Sequence, residues 1–149
     1  MSATHPYVRY AVAKAVKKGE DCCLCLPTQQ WPAGHTGGAG GPPPRTYGLY
    51  AVIDGHNGPA AAEFTTARLP GMFSIELSRS LKVYDGARDE AVAAALGATF
   101  LGLDQQFCKQ AQLSGCTCTV AVLVGWTLSV ANIGDSRAIL DTGAPEVRH

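Results

Sequence analysis

Three carboxylate positions in the chain stand next to glycine at element ends or turns: Glu20 with Asp21 after Gly19, Asp54 before Gly55, and Asp135 after Gly134. Hard divalent cations such as Mg²⁺ and Mn²⁺ take oxygen ligands, and a glycine beside a carboxylate lets its own backbone carbonyl approach the ion as well. Asp54-Gly55 can therefore supply both kinds of oxygen. The run Asp54-Gly55-His56-Asn57-Gly58 is also ordinary turn composition. What favours metal chemistry is the apolar run before it, which delivers the carboxylate into a half-buried region where an unpaired charge is costly unless a cation compensates it.

The elements that must position these groups follow from the hydrophobic pattern. Residues 8 to 26 alternate loosely, predicting two short strands that flank Gly19-Glu20-Asp21. Trp31 to Pro44 is glycine- and proline-rich without periodicity and is expected to be a flexible surface loop. Tyr47 to Ile53 reads as a buried strand that ends in a tight turn at Asp54. After Pro59 a helix begins at Ala60 and is expected to end or bend near Pro70-Gly71, with a second short helical piece through Leu77. Val92, Leu96, Phe100, Leu103 and Phe107 recur every three or four residues, predicting a helix from about Asp89 to Gln112 with one apolar face. Thr117 to Val124 and Leu128 to Ile133 form a hairpin about Gly125-Trp126, and Arg137 to Leu140 starts a further strand. Strands, helices, then strands predict an α+β sandwich with helices covering sheets. The last strand would need a partner, so the domain is expected to continue beyond residue 149.

Composition excludes several classes. The chain has 149 residues, 46% of them hydrophobic and 16% charged, in keeping with one globular domain. Twelve basic residues balance twelve acidic ones, which leaves no field to hold a nucleic acid or an anionic membrane. No apolar run approaches the roughly 20 residues that span a bilayer, and the N-terminus lacks a signal-peptide pattern. The expectation is a soluble protein of the cytoplasm, the nucleus or both, with its six cysteines reduced. Cys22-x-x-Cys25 with Cys116-x-Cys118 offers a rival four-cysteine zinc site, disfavoured because both pairs fall within predicted strands where cysteine serves as a small apolar residue.

Four segments together carry a resemblance. Val52-Ile53-Asp54-Gly55-His56-Asn57-Gly58 leading to Ala60-Ala61-Ala62 is similar to the signature of metal-dependent serine/threonine protein phosphatases of type 2C, the PPM family. Gly19-Glu20-Asp21 resembles the family's upstream Glu-Asp pair, and Ser114-Gly115-Cys116-Thr117 its Ser-Gly-x-Thr strand entry. Val130 to Arg137 resembles its Val-Ala-Asn-x-Gly-Asp-Ser-Arg motif. The details around Lys17-Lys18-Gly19-Glu20-Asp21 and Asp54 to Ala62 are nearest to a plant-type branch, and the match covers only the N-terminal half of the family's domain. The resemblance implies a four-layer α-β-β-α sandwich, of which residues 8–149 are a partial domain with an insertion at 31–45.

It also implies a chemistry: hydrolysis of phosphoserine and phosphothreonine in protein substrates by a hydroxide bridging two Mn²⁺ or Mg²⁺ ions. Carried over residue by residue, Asp54 would bridge both ions, the Gly55 carbonyl would ligate one and Glu20 the other. Asp21 would act through water, and Asp135 would help hold a third, weaker ion. His56 would protonate the departing oxygen, a general-acid role that histidine commonly fills. Val16 stands where many members carry a phosphate-binding arginine, which leaves Lys17 or Lys18 as point-charge substitutes. The family's later aspartates, which complete the two-metal site, do not occur in this chain, so the chain alone is expected to be weakly active or inactive. The alternative is a non-catalytic module that binds a phosphoprotein or regulator.

Overall fold

The β-branched and aromatic runs of the sequence pair into one antiparallel sheet. The computed structural model describes residues 8–13, 19–33, 44–110 and 113–143. In chain order the elements are β1 (Cys22–Gln30), β2 (Thr46–Ile53), β3 (Gly55–His56), α1 (Ala60–Val83), α2 (Arg88–Cys108), β4 (Gly115–Cys116), β5 (Cys118–Val124) and β6 (Thr127–Ile133). Four strands form a sheet in the order β1-β2-β5-β6, and β3 pairs with β4 in a two-stranded ladder. Register is set by period-two burial. Tyr47, Leu49, Ala51 and Ile53 of β2 and Cys118, Val120, Val122 and Val124 of β5 all point to one buried face, with Leu49 opposite Val122 and Ala51 opposite Val120.

Both helices cover that face. α1 buries Ala61, Thr65, Leu69, Phe73, Leu77 and Leu81, a stripe repeating every four residues, and α2 buries Val92, Ala95, Leu96, Thr99 and Leu103. Small side chains let the helices approach: a Cβ at Gly102 would lie 2.8 Å from the Met72 sulfur. Phe73, the largest fully buried side chain, meets the Tyr47 ring edge-on at 5.6 Å. The α+β class and the helix-on-sheet layering agree with the sequence. The long helix predicted to Gln112 ends at Cys108.

Four expectations are corrected. α1 does not stop at Pro70-Gly71 but runs unbroken to Val83. An interior proline costs about 3 kcal/mol. Phe73, Leu77 and Leu81 beyond it are buried, and each contributes about 1.5–3 kcal/mol when buried, so the stripe outweighs the break. Arg137 to Leu140 forms no strand, and Ile139 and Leu140 are exposed at 89% and 74%. Its β-forming residues lack a neighbouring strand among the described residues, and propensity without pairing does not make a strand. Of the two strands expected around Gly19, only β1 is observed: residues 8–13 are irregular, with Tyr10 on the Tyr50 ring at 5.9 Å, and 14–18 lie outside the described residues. Trp31, assigned to the loop, is core: it packs on Tyr47 at 6.3 Å and its backbone N–H donates to the Arg45 carbonyl at 2.9 Å. Residues 34–43 of that loop lie outside the described residues.

The cysteines follow the strand pleat. Cys22 packs with the core while Cys25 lies on the opposite face of β1, so the two do not converge on one ion. Cys116 shares a hydrogen bond of 3.5 Å with Thr65. Burial, with a smaller contribution from Cys116, pushes the Cys118 thiol from 9.0 up to about 12.

Three outcomes follow from this packing. Phe73→Ala should lower the unfolding free energy by about 3–5 kcal/mol in urea denaturation; a loss under about 1 kcal/mol would mean that Phe73 is not core. Because the folded chain holds the Cys118 proton more tightly than the unfolded one, that thiol's contribution is full below pH 9 and lost as pH rises toward about 12. Stability should therefore fall more steeply over that interval in the wild type than in Cys118→Ala, and iodoacetamide at neutral pH should label exposed Cys108 and spare Cys118. Equal labelling of the two would contradict the burial.

Candidate functional site

β2 carries its apolar run to Ile53 and releases Asp54 past the end of the sheet, where the residue is exposed and not half-buried as the sequence led us to expect, so no burial cost calls for a cation there. The backbone there is tightly held. Asp54 N–H donates to Thr117 Oγ1 at 3.3 Å, and Thr117 N–H donates to the Asp54 carbonyl at 2.8 Å. The chain continues as β3, with Gly55 opposite Cys116 and His56 opposite Gly115. Asn57 at φ 58° and Gly58 at φ 110° then reverse it into α1, the left-handed backbone that Asn and Gly tolerate best.

Glu20 is brought to the same place by two contacts. A Cβ on Gly55 would run into the Glu20 carbonyl oxygen, so only glycine permits this approach. The Glu20 carboxylate reaches past it and accepts the Gly58 N–H at 2.9 Å. The α1 N-terminus has no side-chain cap from its own Pro59; instead Ser114 Oγ accepts the Ala61 N–H at 3.0 Å, one of the amides a helix start leaves unpaired. The His56 ring lies against Gly115, where a side chain would collide with it. Behind the ring opens a cleft of about 320 Å³ between the helices and β4, lined by Thr65, Phe100, Phe107, Ser114 and Cys116.

Asp135 enters from the far edge. β6 ends at Ile133, and Gly134 turns the chain at φ 94° while packing on the Thr117 methyl. Asn132 steadies this turn by donating to the Gly134 carbonyl at 3.1 Å and accepting from Thr119 Oγ1 at 2.5 Å. Ser136 Oγ then meets Thr117 Oγ1 at 2.6 Å. Thus Glu20, Asp54, Gly55 and His56 share one end of the sheet, and the Asp135 turn is tied to it through Thr117. Asp21 follows Glu20 on the exposed side. Lys17 and Lys18 lie outside the described residues. Thr117, Ser136 and Ser114 carry this framework; the sequence placed them in the Ser114-Gly115-Cys116-Thr117 and Val130 to Arg137 segments without giving them a role of their own.

The donor types suit a hard divalent cation: the carboxylates of Glu20 and Asp54 and the Gly55 carbonyl belong to segments that meet where Gly55 rests on Glu20. In number they fall short of the roughly six oxygens such ions take. Among the described residues no group of three or more His, Cys, Asp and Glu side chains is close enough to hold a metal ion.

Comparison with known proteins gives this geometry its context. A family model described as protein phosphatase 2C matches residues 11–147. Probable protein phosphatase 2C 5 of Arabidopsis thaliana is 36% identical over 141 residues, covering 92% of this chain and 30% of that protein. Probable protein phosphatase 2C 3 of Oryza sativa subsp. japonica is 42% identical over 102 residues, covering 66% of this chain and 20% of the relative. Probable protein phosphatase 2C 15 of Arabidopsis thaliana is 36% identical over 140 residues, 92% of this chain and 29% of its own length. The chain thus spans no more than about three-tenths of these plant relatives. With the family model matching nearly its whole length, the chain belongs to the protein phosphatase 2C family.

Proposed function

We propose that the protein hydrolyses phosphoserine and phosphothreonine in protein substrates, using Mn²⁺ or Mg²⁺ held in part by this chain. The observation that carries it is the packing of Gly55 on Glu20, which gathers the oxygen donors and His56 at one sheet end in a chain of this family. Asp54, the Gly55 carbonyl and Glu20 would hold two ions, Asp21 would act through water, and Asp135 would serve a third. The ions, when bound, neutralise phosphate charge and lower the pKa of water. His56, exposed at the tip of β3, holds the proton that it gives to the departing serine or threonine oxygen. Lys17 and Lys18 would attract the phosphate. The open face of the β1-β2-β5-β6 sheet, where Val52 is 60% exposed, would take the second sheet of a four-layer sandwich.

The missing donors belong, in this reading, to the part of the relatives' length that this chain does not span, so the chain alone is weak or inactive. The shortage of clustered carboxylates among the described residues also favours a second reading, a phosphatase-like module that binds a phosphoprotein or regulator without turnover.

The two separate in a phosphate-release assay on a phosphothreonine peptide with Mn²⁺. The chain alone should match its own Asp54→Asn variant. Joined to the C-terminal remainder of the Arabidopsis probable protein phosphatase 2C 5, it should release phosphate at a rate that His56→Ala lowers about 10²- to 10⁴-fold. A folded, inactive chimera beside an active intact relative would support the binding module and contradict the enzyme.

A further inference from the structure

Among the described residues the Asp54 carboxylate makes no hydrogen bond or ion pair; the residue is fixed through its backbone. Both of its backbone bonds end on a single partner, Thr117, which is buried and lies 63 positions away in sequence. The same Thr117 hydroxyl meets Ser136 at 2.6 Å, next to Asp135, and its methyl is packed against Gly134. One hydroxyl therefore touches the segments of two carboxylates that arrive from different strands. A hydroxyl can do this because it offers one proton and two lone pairs, enough to accept from the Asp54 amide and still bond Ser136.

We propose that Thr117 is a positioning residue that sets Asp54 and, through Ser136, couples its placement to the Asp135 turn, so that a cation held at one carboxylate is felt at the other. The inference rests on the metal reading above and goes beyond it by assigning the linkage between the two carboxylate segments. A purely structural role would need only the packing of Thr117, which valine reproduces in shape but not in hydrogen bonding. Groups that orient metal ligands typically change metal affinity by about 10–100-fold when removed.

The test is Mn²⁺ titration of this chain followed by paramagnetic broadening of the Gly55 and Ser136 amide signals, which registers weak binding without turnover. Thr117→Val should raise the Mn²⁺ concentration for half-broadening at Gly55 about tenfold, and Thr117→Ser, which keeps the hydroxyl, should stay within about twofold of wild type. Ser136→Ala should shift Gly55 in the same direction, and the double variant should be no weaker than Thr117→Val alone, because both act through one hydroxyl. The proposal is overturned if folded Thr117→Val titrates like wild type while Asp54→Asn is weakened, or if Thr117→Ser is as poor as Thr117→Val. If Thr117→Val does not fold, Ser136→Ala decides: no shift at Gly55 overturns the coupling. Asp54→Asn titrating like wild type is a separate result, which removes the metal reading and the proposal with it.

Discussion

The structure depends on one close approach of backbone to backbone, that of Gly55 to Glu20. β1 begins where β2 ends, and the two can meet at that corner only because residue 55 has no side chain. The contact brings the Glu20 carboxylate within reach of the Gly58 amide, and so fixes the turn that launches α1. The corner is closed on its other side by the paired bonds between Asp54 and Thr117. Loosening it would release a donor, a turn and a helix start together.

Everything behind the corner gives it something rigid to stand on. β2 and β5 are the inner strands, and their alternating side chains lock to α1 and α2 through Leu49, Val120, Val122 and Phe73. Close-packed interiors transmit strain and move little, so the end of β2 is a well-defined place to present a carboxylate. The surface beyond the corner has a different character: His56, Asp54 and Asp135 are exposed, and the opposite face of the sheet leaves Val52 and Val130 largely uncovered. The described residues thus hold one layer of helices on one face of the four-stranded sheet, in a chain that spans about three-tenths of its relatives.

Much of this was legible in the sequence, for reasons that differ by residue. β2, β5 and β6 were marked by short β-rich runs with turn residues between them, and α2 by apolar spacing of three and four. Glu20, Asp54 and His56 were marked by their glycine neighbours and by family resemblance. The continuation of α1 through Pro70 was not legible, because the local proline signal opposes a burial stripe whose partners lie in the sheet. The Arg137 to Leu140 run misled because β propensity is realised only against a neighbouring strand. Trp31 was hidden by the glycine- and proline-rich residues after it. Thr117 and Ser136 could not be assigned from local pattern at all, since their bonds join segments 63 and 19 residues apart.

The proposal that the corner at Asp54 holds a divalent cation is tested most directly by anomalous diffraction from crystals of the chain soaked in Mn²⁺. The account predicts a manganese peak in contact with the Asp54 carboxylate and the Gly55 carbonyl that disappears in Asp54→Asn. Manganese ordered elsewhere on the chain, or a peak at that corner that survives the substitution, would contradict it.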